Sequence, residues 1–359
     1  MKISRAFLIV IIIFVIILVA VFAYAALVTT SNSSKWELGA DYPLEVQDTI
    51  GVSGQQCVNS ASYIVCIGGM DISGGPQNGV YLSSSVSSSG GNITGWAPES
   101  YPYPQPIFGQ SCVTYSGFVF CVGGTYDDGG DDLATSYYAP LSSTGIVGKW
   151  NSTTAFPVPV DSQYCIASSG YIYCLGGWTE SNGLNASRAL SSFDYFAPIS
   201  SSGIGDWNQT APYPTGDYLP SCYSENNYIY CLGGVDGGSS ALSTAYYAPL
   251  SSSGLGPWTA TTSYPFDGIG QSCAFSSGYI YCVGGETSSG FSNLVYYALV
   301  SPGGIGQWVQ GATYPEGIWT NCVIVSGNMY CVGGLDSSSN GETGATHFID
   351  LTSLTTSTS

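Results

Sequence analysis

The residues of this chain best placed to do chemistry are its 12 cysteines, its 23 acids and a few loop aromatics. The cysteines come as six pairs: Cys57 and Cys66, Cys112 and Cys121, Cys165 and Cys174, Cys222 and Cys231, Cys273 and Cys282, and Cys322 and Cys331, each with eight residues between partners. Zinc sites usually space paired ligands by about two to four residues, and the chain has one histidine, His347. The pairs therefore read as disulfides, which suits an oxidising compartment. Each second cysteine is followed by one residue and a Gly-Gly, and one to three places further on by an acid: Asp71, Asp127, Glu180, Asp236, Glu286 and Asp336. Gathered on one rim, these would attract cations, cationic peptides or amine-bearing ligands. The competing role for an acid at a loop start is to bond turn amides. The acids are densest at Asp127, Asp128, Asp131 and Asp132, which could supply oxygen ligands to calcium, although at a spacing unlike an EF-hand loop. Tyr126, Trp178, Tyr218 and Trp319 share these loops and could stack on a sugar ring or a peptide.

Catalytic arrangements fare worse. A Ser-His-Asp or Cys-His constellation would have to use the lone His347, and the latter also a free cysteine, whereas every cysteine has a partner in the pairing above. A glycosidase built from two rim carboxylates is the one enzyme class left open, since the separation of the acids decides it. With five Lys and Arg against 23 Asp and Glu, a formal charge of −18, binding to the phosphate backbone of nucleic acid is excluded. No catalysis and no cofactor are expected, calcium at the four clustered acids excepted.

The elements that must position these residues follow from local patterns. Lys2 and Arg5 precede 22 uncharged residues, Phe7 to Val28, long enough to cross a bilayer as a helix, with a cleaved signal peptide as the alternative because Ala23-Tyr24-Ala25 fits a cleavage site. Either way residues 1–28 act as a signal-anchor or signal peptide, residues 29–35 as a Ser/Thr linker, and the body is exported. Sequons at Asn32, Asn92, Asn151, Asn185 and Asn208 agree with export. Within the body each cysteine pair brackets two β-rich runs around a two-residue turn, as in Cys112 to Cys121 with Ser116-Gly117 at the tip. Counting outward from that turn places the cysteines directly opposite one another at a non-hydrogen-bonded pair. First cysteines recur every 55, 53, 57, 51 and 49 residues. After each Gly-Gly come a polar loop, a third strand and, in the regular units, a Tyr-Tyr-Ala-Pro-type phrase, a Ser/Gly turn and a tryptophan that opens a fourth strand.

Six such four-stranded units make a β-propeller. Trp96, Trp150, Trp207, Trp258 and Trp308 finish the first five units, the sixth lacks one, and Trp36 stands spare at the start. The residues near 36–40 are thus expected to complete the sixth blade and close the ring.

The strand ending in Gly-Gly, the later tyrosine pair, the tryptophan and the proline-bearing approach to the next unit resemble the kelch repeat, over residues 36–350. The resemblance implies an all-β, six-bladed kelch-like propeller with four antiparallel strands per blade, preceded by one hydrophobic helix and followed by a Ser/Thr-rich tail at 351–359. It also implies binding through the loops that follow the second and fourth strands. Galactose oxidase and the sialidases use similar propellers, but their histidines, free cysteine and arginine cluster have no counterparts in this chain. The expected protein is an extracellular, membrane-anchored protein- or glycan-binding or adhesion module. A carbohydrate-active enzyme using rim carboxylates and a purely structural envelope protein are the alternatives.

Overall fold

A run such as Tyr228-Ile229-Tyr230-Cys231-Leu232 has no charge and is rich in aromatic and β-branched residues, a composition suited to a strand buried on both faces. It forms one, Tyr228–Leu232, and its counterparts do the same in every unit. The computed structural model describes residues 35–43, 45–46, 49–87, 91–126, 132–180, 188–190, 194–215, 219–236, 240–337 and 341–355. The expected N-terminal helix, the acids Asp127, Asp128 and Asp131, and Tyr218 lie outside the described residues, and so does the side chain of Glu180. Among the described residues no helix is long and apolar enough to cross a membrane.

Each unit is an antiparallel sheet of four main strands. The first strands, Gln56–Ser60, Ser111–Tyr115, Tyr164–Ser168, Ser221–Glu225, Ser272–Ser276 and Ile318–Val325, each lie against the next, and the last against the first, so six blades enclose one axis. All six cysteine pairs sit directly opposite in their hairpins. Their Cα atoms lie 4.0–4.2 Å apart and all are bonded, the close approach of a non-hydrogen-bonded pair. At five turns both residues or the first plus a glycine take positive φ, for example Asn226 and Asn227 at 50° and 63°, which is the turn geometry that matches strand twist.

The ring closes where the tryptophan count places it. Glu37–Leu38 pairs antiparallel with Gly341–Asp350, Glu37 opposite Phe348 and Leu38 opposite His347. Trp36 then enters a six-fold clasp. In every blade the indole N–H donates to a carbonyl two residues before the aromatic of the preceding linker, from Trp36 to Ala312 at 3.2 Å through Trp258 to Ala211 at 3.3 Å. That aromatic, Tyr42, Tyr103, Phe156, Tyr213, Tyr264 or Tyr314, meets the tryptophan ring edge-on at 4.8–5.2 Å. The apolar core is correspondingly divided into six clusters, each shared between neighbouring blades.

Two features depart from the expected outline. The Ser/Gly turn that lengthens the regular units is a second clasp: Ile204, Leu255 and Ile305 donate their amides to Thr153, Thr210 and Thr261 of the preceding blade. The chain after Asp350, expected to be a Ser/Thr tail, begins with a short helix, Leu351–Thr355, whose Leu351 and Leu354 are buried in the cluster between the fifth and sixth blades.

Candidate functional site

The first strands of the six blades start around the axis, and their leading residues line a cavity of about 350 Å³. Counting back from each first cysteine arranges its wall in three tiers. The outermost holds Gly54, Gly109, Ser162, Leu219, Gly270 and Trp319; the next Gln55, Gln110, Gln163, Pro220, Gln271 and Thr320; the innermost Gln56, Ser111, Tyr164, Ser221, Ser272 and Asn321. In five of the six blades the outermost residue is left-handed, with φ between 55° and 67°. Glycine adopts this freely, whereas Ser162 and Leu219 at 55° do not, and such strained backbone tends to gather at binding sites. The sixth blade differs because its first strand is longer, Ile318–Val325, with a register shift between Trp319 and Asn321. That extension sets the indole of Trp319 against Gly270 of the neighbouring blade, where a Cβ would fall 2.5 Å from the ring.

The middle tier is fixed by a repeated staple. Nε2 of Gln55, Gln110, Gln163 and Gln271 donates to the carbonyl of Val332, Ile67, Val122 and Leu232 in the preceding blade, at 2.5–3.2 Å. This staple accounts for the Gly-Gly. A Cβ on Gly68, Gly123 or Gly233 would strike the glutamine amide, and one on Gly69, Gly124 or Gly177 its Cβ. The Oε1 atoms of Gln110, Gln163 and Gln271 are buried without a donor. In the innermost tier Ser111, Ser221 and Ser272 accept the amides of Cys165, Cys273 and Cys322, and Asn321 accepts that of Cys57. Burial pushes the Tyr164 hydroxyl up, with Ser221 acting the other way.

The described rim acids, Asp71, Asp236, Glu286 and Asp336, are not part of this wall. Among the described residues, the cavity is lined by no Asp, Glu, Lys, Arg or His. Asp71 is buried and accepts Ser73 N at 2.8 Å, Ser73 Oγ at 2.6 Å, Gly75 N at 3.1 Å and Gln77 Nε2 at 2.6 Å. Burial opposes its charge, but these bonds prevail and hold its carboxyl below the usual range. Asp236 accepts Ser240 N at 2.9 Å. Asp336 is buried at the end of a strand opposite Gly341, and Glu286 lies in a two-residue strand facing Phe291. Asp71 and Asp236 hold turns, which is the alternative that the loop-start position offered. Of the calcium ligands expected, Asp132 is buried next to Thr125, and no group of three His, Cys, Asp or Glu forms a metal-ligand cluster among the described residues. Tyr126 is exposed and Trp178 half-buried in a strand facing Leu190, both outside the cavity wall.

Two further titratable groups lie outside the cavity wall, Asp194, which sequence did not single out, and His347. Asp194 is buried and accepts the amides of Gly176 at 2.9 Å and Tyr213 at 2.6 Å; burial outweighs those bonds and pushes its carboxyl up to about 6. His347 occupies the third-strand position held by tyrosine in the other blades. Its Nδ1 lies 3.0 Å from Tyr314 Oη and 3.8 Å from Glu316, and burial pushes it down while Asp41 opposes.

Blades and cavity together define a six-bladed β-propeller with an axial mouth whose described lining carries no charge. No protein-family model matches the chain, and no curated protein matches it. Among solved structures it is similar to the structure of YjhT, at 11% identity over 86% of this chain and 95% of that one, with a TM-score of 0.66. At that identity the likeness shows the propeller fold.

Proposed function

We propose that this is an extracellular, kelch-like recognition protein that binds a protein or glycan ligand at the axial mouth and performs no catalysis. Six disulfides suit an oxidising, exported setting, and the apolar N-terminal run would tether the propeller to the cell surface. The observation that carries the reading is the mouth itself. It is a concave site of ligand size whose outer tier is small or strained in five blades and bears one indole, Trp319, in the sixth. The absence of carboxylates from its described wall favours binding over a glycosidase, which needs two. The test is a combined glycan and peptide array on the oxidised protein and on Trp319→Ala, with Trp178→Ala as control. Selective binding lost in Trp319→Ala and kept in Trp178→Ala is expected. Binding that survives Trp319→Ala would move the site elsewhere.

A further inference from the structure

The mouth's lining specifies more than a location. From its chemistry we infer that the ligand is a neutral saccharide, one or two sugar rings in size, stacked on Trp319; this rests on the recognition reading above. The argument begins with charge. A ligand entering the cavity leaves water, and a charged one would then need a partner. The described wall offers neither a cation for an acidic sugar or phosphate nor a carboxylate for an amine. Asp71 and Asp236, which could have supplied a carboxylate, are bound into their own turns. Anions are opposed further by a chain carrying −18.

What the wall does offer is a set of neutral hydroxyl and amide groups. The middle-tier amides are taken up by the blade staples, and the Oε1 atoms of Gln110, Gln163 and Gln271 are buried out of a ligand's reach, so the groups open to a ligand are those of the innermost tier. Ser111 and Ser272 accept a neighbouring amide and keep a hydroxyl hydrogen to give, and Asn321, accepting through Oδ1, keeps its Nδ2. A ligand able to meet hydroxyls and an amide at short spacing is dense in groups that donate and accept at once, which is the property of sugar hydroxyls. Trp319 adds a flat apolar face suited to the C–H face of a pyranose. At about 350 Å³ the cavity is at the small end of ligand sites, which favours one or two rings over an extended peptide.

The test is calorimetric titration of the full, oxidised protein with glucose, galactose, mannose, N-acetylglucosamine and their disaccharides, and with glucuronic acid and glucosamine as charged counterparts. At least one neutral sugar is expected to bind, with an affinity that changes less than about twofold between low and high salt, since no ion pair forms. The charged counterpart should bind at least tenfold more weakly. Trp319→Ala should abolish binding and Trp319→Phe should retain part of it, while both variants keep the wild-type circular dichroism and melting temperature within a few degrees. A peptide or charged sugar that binds in a Trp319-dependent way overturns the neutral-saccharide inference and leaves the mouth as a recognition site. No Trp319-dependent ligand in either panel overturns both.

Discussion

Tyr42, Tyr103 and Tyr264 occupy the clasp position that Phe156 fills in its own blade, and their hydroxyls are buried without a hydrogen-bond partner. A buried hydroxyl with no partner costs more than it returns. Tyr103→Phe and Tyr264→Phe are therefore expected to be neutral or stabilising by up to about 1 kcal/mol in chemical denaturation. Tyr314→Phe, which removes the partner of His347, should lose about 1 kcal/mol. Asp194 and His347 give stability opposite pH dependences. The Asp194 carboxyl is raised from 3.8 to about 6, so its contribution is complete below about pH 4 and is lost as pH rises through 6. His347 is lowered, so its contribution is present at neutral pH and lost as pH falls below about 6.5. Asp194→Asn removes the first effect alone. The melting-temperature gap between wild type and this variant should widen in favour of wild type from pH 7 to pH 4, by the equivalent of on the order of 3 kcal/mol at most, and an equal gap at both values would overturn the assignment. At this scale sequence reading was weakest. Trp178 and Trp319 look alike as non-recurring loop tryptophans, and only alignment on the first cysteine sets Trp319 in one column with Gly54, Gly109, Ser162, Leu219 and Gly270. A glutamine two residues before that cysteine recurs in four units, but the staple that fixes its amide depends on the neighbouring blade.

The hairpin is the element most fully legible in the sequence, because a two-residue turn fixes register and register fixes which cysteines face each other. Its disulfide is expected to contribute modestly, since it closes only ten residues within a hairpin already held by its ladder. Replacing Cys222 and Cys231 with alanine together should cost no more than about 2.5 kcal/mol, read as a shift of the denaturation midpoint with the fold intact. The clasps between blades were only half legible. The Tyr/Phe-Pro and Trp phrases recur visibly, yet nothing in one unit shows that its indole reaches a carbonyl in the linker before it. The role of the Ser/Gly turn is hidden within one unit for the same reason. Its Thr partner lies about 45 residues upstream, from Leu255 to Thr210 for example, and pairs only after the blades stack.

For the whole molecule, the period of six and the missing tryptophan at the end were enough to foresee the closed ring, since a propeller with one strand unpaired would leave an open edge. The seam differs from the other five junctions in chain connectivity, because Glu37–Leu38 joins the sixth blade from the opposite end of the sequence. Trp36 is 5% exposed and sits in the cluster between the fifth and sixth blades. Trp36→Ala removes the clasp there and should cost about 3–5 kcal/mol locally. Because the blades contact only their neighbours, the loss should be uneven. Amide exchange is expected to accelerate in Gly341–Asp350 and the helix Leu351–Thr355 while the second and third blades keep their protection. Uniform acceleration around the ring would show that the six blades unfold as one unit.

That latch also determines how the ring responds to load. From residue 35 onward the chain is held to the sixth blade by a two-residue strand, one indole and the amides of Gly39 and Tyr42, all non-covalent, whereas each first hairpin is cross-linked by a covalent bond. A pull on the amino-terminal end would act on the latch first. The protein would then lengthen by peeling its outermost strand from the sixth blade, with the axial mouth and the six bonded hairpins still in place.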